Sequence, residues 1–86
     1  MNDLEDLSET INKLKNSKEI CYFLKELLTE SEINVLSKRW RILNMLKSGY
    51  TQRDIAKELN VSLCKVTRGA KILKDKNAII TKILEG

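Results

Sequence analysis

Residues 51–73, TQRDIAKELNVSLCKVTRGAKIL, decide how the rest of the chain is read. They parse as two short helices joined by a tight turn. Thr51 suits the cap of the first helix, because its hydroxyl accepts a backbone N–H that has no partner inside the helix. Ile55, Ala56 and Leu59 then share one face. Asn60 follows, and asparagine is the non-glycine residue that best tolerates the left-handed backbone such a turn needs. Val61 is apolar and plugs the corner. Ser62 is a good N-cap for the second helix. Val66, Gly69, Ile72 and Leu73 return to the inner face, and the small Ala56 stands where the helices must approach closely.

This spacing fits a helix-turn-helix whose second helix enters the major groove of DNA. Leu63, Cys64, Lys65, Thr67 and Arg68 project outward near the start of that helix. An αα-hairpin that binds protein would share the apolar pattern, so charge has to separate the two readings. The net charge is +4, but it is spread unevenly. Residues 1–32 carry four lysines and eight acids, a balance of −4. Residues 33–86 carry twelve Lys/Arg and four acids, a balance of +8. The basic part holds the helix-turn-helix, as a phosphate-binding surface requires. Gln52, Arg53, Lys57 and Lys71 are expected mainly to hold phosphates. Lys65 is placed to read a guanine edge, and Thr67 or Leu63 to touch a thymine methyl, with Cys64 on the same surface.

A chain of 86 residues makes one domain with a modest core, for which oligomerisation is a natural source of further burial. It has no proline and only three glycines, Gly49, Gly69 and Gly86, so the apolar periodicity reads as all-helical. There is no histidine, no glycine-rich phosphate loop and no nucleophile–base pair. The chain therefore reads as a non-enzyme with no catalytic or metal-ligating residues. Cys21 and Cys64 read as free thiols. With no leader and no membrane-spanning apolar run, a cytoplasmic protein without a membrane partner is expected.

Outward from the helix-turn-helix, residues 1–16 place Leu4, Leu7, Ile11 and Leu14 at the spacing of a helical seam. A stripe so narrow needs a partner helix, here from a second subunit. Ser17 is the expected cap of a helix over 18–28, with Ile20, Phe23, Leu24, Leu27 and Leu28 apolar and Tyr22 half-buried. Thr29 and Glu32 have capping-box spacing, opening a long helix over 30–48. Ile33, Leu36, Trp40 and Leu43 line one side of it, and Val35, Ile42, Met45 and Leu46 widen the apolar surface. Trp40 reads as core packing, with ligand contact as the alternative. A helix apolar on more than one side must be covered on more than one side, which favours an intertwined homodimer. Gly49 ends it. Residues 74–77 break the chain before a last helix over 78–84. Within the single domain, residues 1–48 are taken mainly as dimerisation core, 51–74 as the helix-turn-helix and 76–85 as the C-terminal helix. Gly69 sits inward, where an aliphatic residue is expected and where glycine costs roughly 1 kcal/mol relative to alanine. It marks either a space that something else fills or a close helix crossing.

Taken together, LLTESEINVLSKRWRILNMLKSG (27–49), TQRDIAKEL (51–59) and VTRGAKILK (66–74) resemble the Trp repressor family and its shorter relatives. Thr67-Arg68-Gly69 is the most telling piece, then Thr29 with Arg39 ten residues later. The resemblance covers about residues 20–84. It implies a six-helix fold built as an interlocked homodimer, which binds operator DNA when L-tryptophan fills a pocket beside the reading head. The family's pocket arginines fall on Arg39 and Arg68, its threonine on Thr29 and its glycine on Gly69. One guanidinium would grip a carboxylate and the other stack on an indole. Three departures stand in the sequence. The turn at 49–52 is one residue shorter than in tryptophan-binding members. Ile72 replaces a serine that lies near the ligand's amino group. Ala56 replaces a lysine that touches DNA. The expectation is thus a repressor on double-stranded operator DNA, with L-tryptophan as the implied corepressor. A ligand-independent regulator of the same fold and a protein-interaction module stay open beside it.

Overall fold

A computed structural model describes residues 2–86. It contains six helices: α1 (Asp3–Asn12), α2 (Ser17–Leu27), α3 (Glu30–Lys47), α4 (Gln52–Leu59), α5 (Leu63–Lys74) and α6 (Ile79–Glu85). Among the described residues there is no strand. The all-α expectation holds, and packing divides the chain into two units, Met1–Ile33 and Asn34–Gly86.

In the first unit local chemistry sets the helix ends. Asn2 accepts the Glu5 N–H at 2.8 Å, and three acids fill the first turn of α1, where the helix dipole favours them. The helix stops at Asn12, earlier than the apolar seam suggested. The next N–H groups bond three residues back, Lys13 to Thr10 and Leu14 to Ile11. Leu14 therefore lies beyond the helix, in a polar run with nothing further to bury. Asn16, not Ser17, caps α2: its backbone is extended and its side chain accepts the Glu19 N–H at 2.9 Å. The Glu19 carboxylate in turn accepts the Lys15 N–H at 3.2 Å, one residue before the cap. The capping box before α3 forms as read: Thr29 N–H donates to Glu32 Oε1 at 2.9 Å and Glu32 N–H to Thr29 Oγ1 at 3.1 Å. Neither α1 nor α2 buries a side chain, and Tyr22 is exposed rather than half-buried.

The second unit carries the core. Ile42, Met45, Ile55 and Val66 are buried together, with Leu46, Ala56, Leu59 and Val61 packed against them. Two left-handed residues aim the helices that build it. Gly49, with φ +94°, ends α3. Its N–H reaches Leu46 O and the Tyr50 N–H reaches Met45 O, both at 3.1 Å, the paired bonds of a Schellman closure. Asn60, with φ +53°, ends α4 in the same way: its N–H meets Lys57 O, and the Val61 N–H meets Ala56 O at 3.0 Å. That closure brings Val61 onto the core beside Ala56. Thr51 caps α4 through the Asp54 N–H, and Ser62 caps α5 through the Lys65 N–H. At the far end, buried Thr81 of α6 donates to the Ile72 carbonyl of α5 at 3.1 Å, which ties the last two helices together. An exposed Lys76–Glu85 ion pair at 3.0 Å lies over the same turn.

A single chain covers α3 only in part and packs Gly69 tightly. Leu36 and Trp40 are 48% and 46% exposed. Of the stripe read along α3, only Leu43 is buried, while Ile33 is half-buried. The helix is apolar on two sides, and the buried cluster of the second unit lies along only one of them. Gly69 is buried, and a Cβ there would stand 3.1 Å from Ile42 Cγ2, 3.3 Å from Leu46 Cδ1 and 3.5 Å from Leu43 Cδ2. The close crossing of α5 over α3 therefore accounts for this glycine without any ligand.

Two outcomes are expected. Gly69→Ala gains about 1 kcal/mol of helix propensity but meets crowding that typically costs about 1–3 kcal/mol. Urea unfolding should therefore show no stabilisation. A gain of the full propensity difference would mean that the crossing is loose. The second outcome concerns Glu32, whose carboxyl is held below its ordinary value of 4.5 by the Thr29 backbone N–H and then by the Thr29 hydroxyl. A depressed folded value means that its contribution is complete above the ordinary value and disappears as pH falls through the folded one. The stability difference between the native chain and Glu32→Gln should shrink over that acid window, and a constant difference would count against the box.

Candidate nucleic-acid interface and ligand pocket

The second unit has the net charge of +8 that the sequence assigns to its half of the chain. α4 and α5 carry six of its twelve cations. Arg53 and Lys57 are exposed on α4, and Lys65, Arg68 and Lys71 on α5. Leu63 and Cys64 are exposed in the first turn of α5, where an inserted helix meets base edges. The inner residues of the same helix, Val66 and Gly69, are buried. One face of α5 is thus committed to the core and the other is left free.

Two of the expected contact residues are joined. Thr67 Oγ1 lies 2.9 Å from Gln52 Oε1 and 3.0 Å from the Leu63 carbonyl. One hydroxyl proton cannot serve both acceptors. With the Gln52 amide turned end for end, its N–H donates to Thr67 while the hydroxyl serves Leu63. Either way Gln52 at the start of α4 is linked to the outer face of α5. The pair fixes the angle between the two helices, a role that spacing alone did not suggest.

A cavity of about 250 Å³ lies on the other side of α5. α3 contributes Arg39, Ile42 and Leu43, α5 contributes Lys65, Arg68, Gly69 and Ile72, and α6 contributes Ile80. Four of the five residues expected at a ligand site, Arg39, Arg68, Gly69 and Ile72, meet here. The fifth, Thr29, belongs to the first unit and is not among the lining residues. Its hydroxyl oxygen already accepts the Glu32 N–H in the capping box. Ile42, Leu43 and Ile80 were not expected at the site. Ile42 and Leu43 look like core residues in sequence, and only the return of α6 against α5 brings Ile80 in. Lys65, expected on DNA, also lines the cavity, so one side chain stands between the reading surface and the pocket. Arg68 and Arg39 are both exposed and thus open to a solute.

A wider groove of about 850 Å³ runs along another side of α3, past Trp40, Arg41 and Met45 to Tyr50 and Leu59. It holds none of the expected site residues, although it is the larger of the two hollows. Among the described residues no group of three or more His, Cys, Asp or Glu could hold a metal ion. No helix among them is long and apolar enough to cross a membrane. Cys21 and Cys64 are free thiols, both exposed.

The chain is similar to known proteins in sequence and in fold. The family model described as Trp repressor protein matches residues 2–86. Trp operon repressor homologs from strains of Xylella fastidiosa are 38% identical over 74 residues, which covers 85% of this chain and 80% of theirs. A Trp operon repressor homolog from Vibrio parahaemolyticus is 34% identical over 76 residues, covering 87% of this chain and 74% of its own. The fold is similar to the crystal structure of a candidate Trp repressor from Staphylococcus aureus, with a TM-score of 0.80 and 34% identity over 95% of this chain and 82% of that one. The whole described length, including the short helices that frame the cavity, is thus accounted for by one family, and the chain belongs to the Trp repressor protein family.

Proposed function

We propose that the protein is a sequence-specific, DNA-binding transcriptional repressor that acts as a homodimer and responds to a small carboxylate-bearing effector. The observation that carries the reading is the two-sided α5: cations and short side chains outward, and a cation-lined cavity against α3 on the inner side. In this reading Lys65 reads a guanine, Thr67 or Leu63 touches a thymine methyl, and Arg53, Lys57 and Lys71 hold phosphates. Gln52 acts mainly by bracing Thr67, with phosphate contact as a second role. Cys64 lies on the same surface.

Dimerisation is supported by what one chain leaves uncovered. Leu36 and Trp40 on α3 are half exposed, and Ile79 and Ile83, one helical turn apart on α6, are 75% and 62% exposed. The first unit has no buried side chain among its helices. A second copy covering these surfaces, with residues 1–48 as the main dimerising part, supplies the burial that a chain of this length lacks. Two reading heads would then meet successive major grooves about one helical turn (~34 Å) apart on a palindromic operator.

The effector site is the cavity between α3, α5 and α6. A guanidinium there grips a carboxylate in a bidentate pair while the other stacks on a planar ring. L-tryptophan, the ligand the family name suggests, is the first to test. Filling the cavity would hold the reading head at one angle to α3. That shifts the population of arrangements only if the effector prefers one of them.

Titration of operator and random duplexes over a range of salt tests DNA recognition, since several phosphate contacts give a steep loss of affinity. Lys65→Ala should weaken operator binding by about 1–3 kcal/mol and random-duplex binding by much less. Equal losses would make Lys65 a phosphate contact only. In calorimetry, Arg68→Ala should abolish heat from L-tryptophan with no change in helical content. A surviving signal would place the effector elsewhere.

A further inference from the structure

Thr67 stands exposed on the outer face of α5, yet its hydroxyl is spent inside the protein. Its Oγ1 lies 3.0 Å from the Leu63 carbonyl, one turn back, and 2.9 Å from the Gln52 side-chain amide. A threonine hydroxyl carries one proton. Whichever way the Gln52 amide is turned, that proton goes to Gln52 or to Leu63. A base or a phosphate oxygen could take it only by breaking a bond within the chain. The same two contacts hold Oγ1 against the preceding turn, so χ1 is fixed and the methyl group keeps one staggered position. Leu63, one turn earlier, has no polar atom in its side chain and is half exposed. Residues four apart are neighbours on a helix surface, so Leu63 and Thr67 make an apolar ridge. Cys64 beside them is exposed and behaves as a small hydrophobe. Of the outward side chains from Leu63 to Arg68, Lys65 and Arg68 keep strong donors for a partner.

From this geometry we infer that α5 recognises pyrimidines by the methyl group at C5 rather than by hydrogen bonds. Thr67 is the specificity-determining residue, and it acts through its methyl together with Leu63. The thymine methyl is the one apolar mark in the major groove. An apolar ridge does not distinguish which pyrimidine bears that methyl. 5-Methylcytosine, with its methyl at the same ring position, is therefore accepted much as thymine is, while uracil and plain cytosine are disfavoured. Binding thus depends on cytosine methylation within the site. The inference rests on the DNA-binding reading above and narrows it: the two residues read together, and Thr67 donates to neither base nor phosphate. The ridge stays open in any assembly that binds DNA through α5, so a second copy of the chain does not alter it.

A duplex selected by the whole chain from a random pool supplies the site. Each thymine is replaced in turn by deoxyuridine, which removes the methyl and keeps the pairing. At the positions that meet the ridge, the lost methyl should weaken binding about fourfold. With a C·G pair at the same position, 5-methylcytosine should bind about fourfold more tightly than cytosine. Thr67→Ser keeps the hydroxyl and removes the methyl, so it should equalise thymine and uracil at one position. Thr67→Val keeps the methyl and removes the hydroxyl. It should preserve the ratio while overall affinity falls with the bond to Gln52. The reverse pattern would make the hydroxyl the reader and overturn the inference. Equal binding of thymine and uracil duplexes by the native chain at every position would overturn it too, and leave the DNA-binding reading standing. Failure to select any duplex would overturn both. The native ratios decide the matter even if a variant folds poorly.

Discussion

The crossing of α5 over α3 at Gly69 is the constraint on which the second unit turns. The glycine leaves Ile42, Leu43 and Leu46 standing 3.1–3.5 Å from where a Cβ would be. Val66, one turn earlier on α5, is fully buried by the same approach. Interiors are packed too densely for such a contact to slide freely. The crossing therefore sets which residues of α5 face outward, and the cavity opens beside it, lined by Lys65, Arg68, Gly69 and Ile72 of α5. The basic surface and the cavity are two consequences of a single packing event. A solute in the cavity and a groove on the outer face would both act on the same short helix.

Around that crossing, small local devices do the positioning. Paired hydrogen bonds at Gly49 and Asn60 turn the chain sharply at both ends of α4. The Gln52–Thr67 bond links α4 to α5 on the outer side. Thr81 anchors α6 to the last turn of α5. Each is worth about 1 kcal/mol, and each constrains a different degree of freedom of α5. Their joint effect is orientation, which matters for a helix whose function depends on the direction it faces.

Much of this was legible in the chain because it is local. Capping residues, the left-handed Asn60 and the terminating Gly49 act within a few positions of themselves, so residue type and spacing suffice. The helix-turn-helix register followed from Ile55, Ala56, Leu59 and Val66 at helical spacing. Less was legible where two residues compete for one role or where coverage depends on distant elements. Asn16 rather than Ser17 is the cap, with its side chain accepting the Glu19 N–H. Leu36 and Trp40 stay half exposed in a single chain, and an apolar stripe carries no label for the element that covers it. Gly69 offered two explanations, a void or a close approach, and neither periodicity nor propensity distinguishes them.

The one-dimensional chain by itself determined the helices, most of their ends, the basic half and the two faces of α5, since these follow from hydrogen bonds and side-chain spacing over one or two turns. The tertiary structure alone decided that Ile80 joins Arg39 and Arg68 at a cavity, that Lys65 borders both it and the outer face, and that Gln52 is bonded to Thr67. Those groups lie 12 to 41 positions apart or on separate helices, and what joins them is the angle at which helices pack, which no stretch of sequence encodes locally.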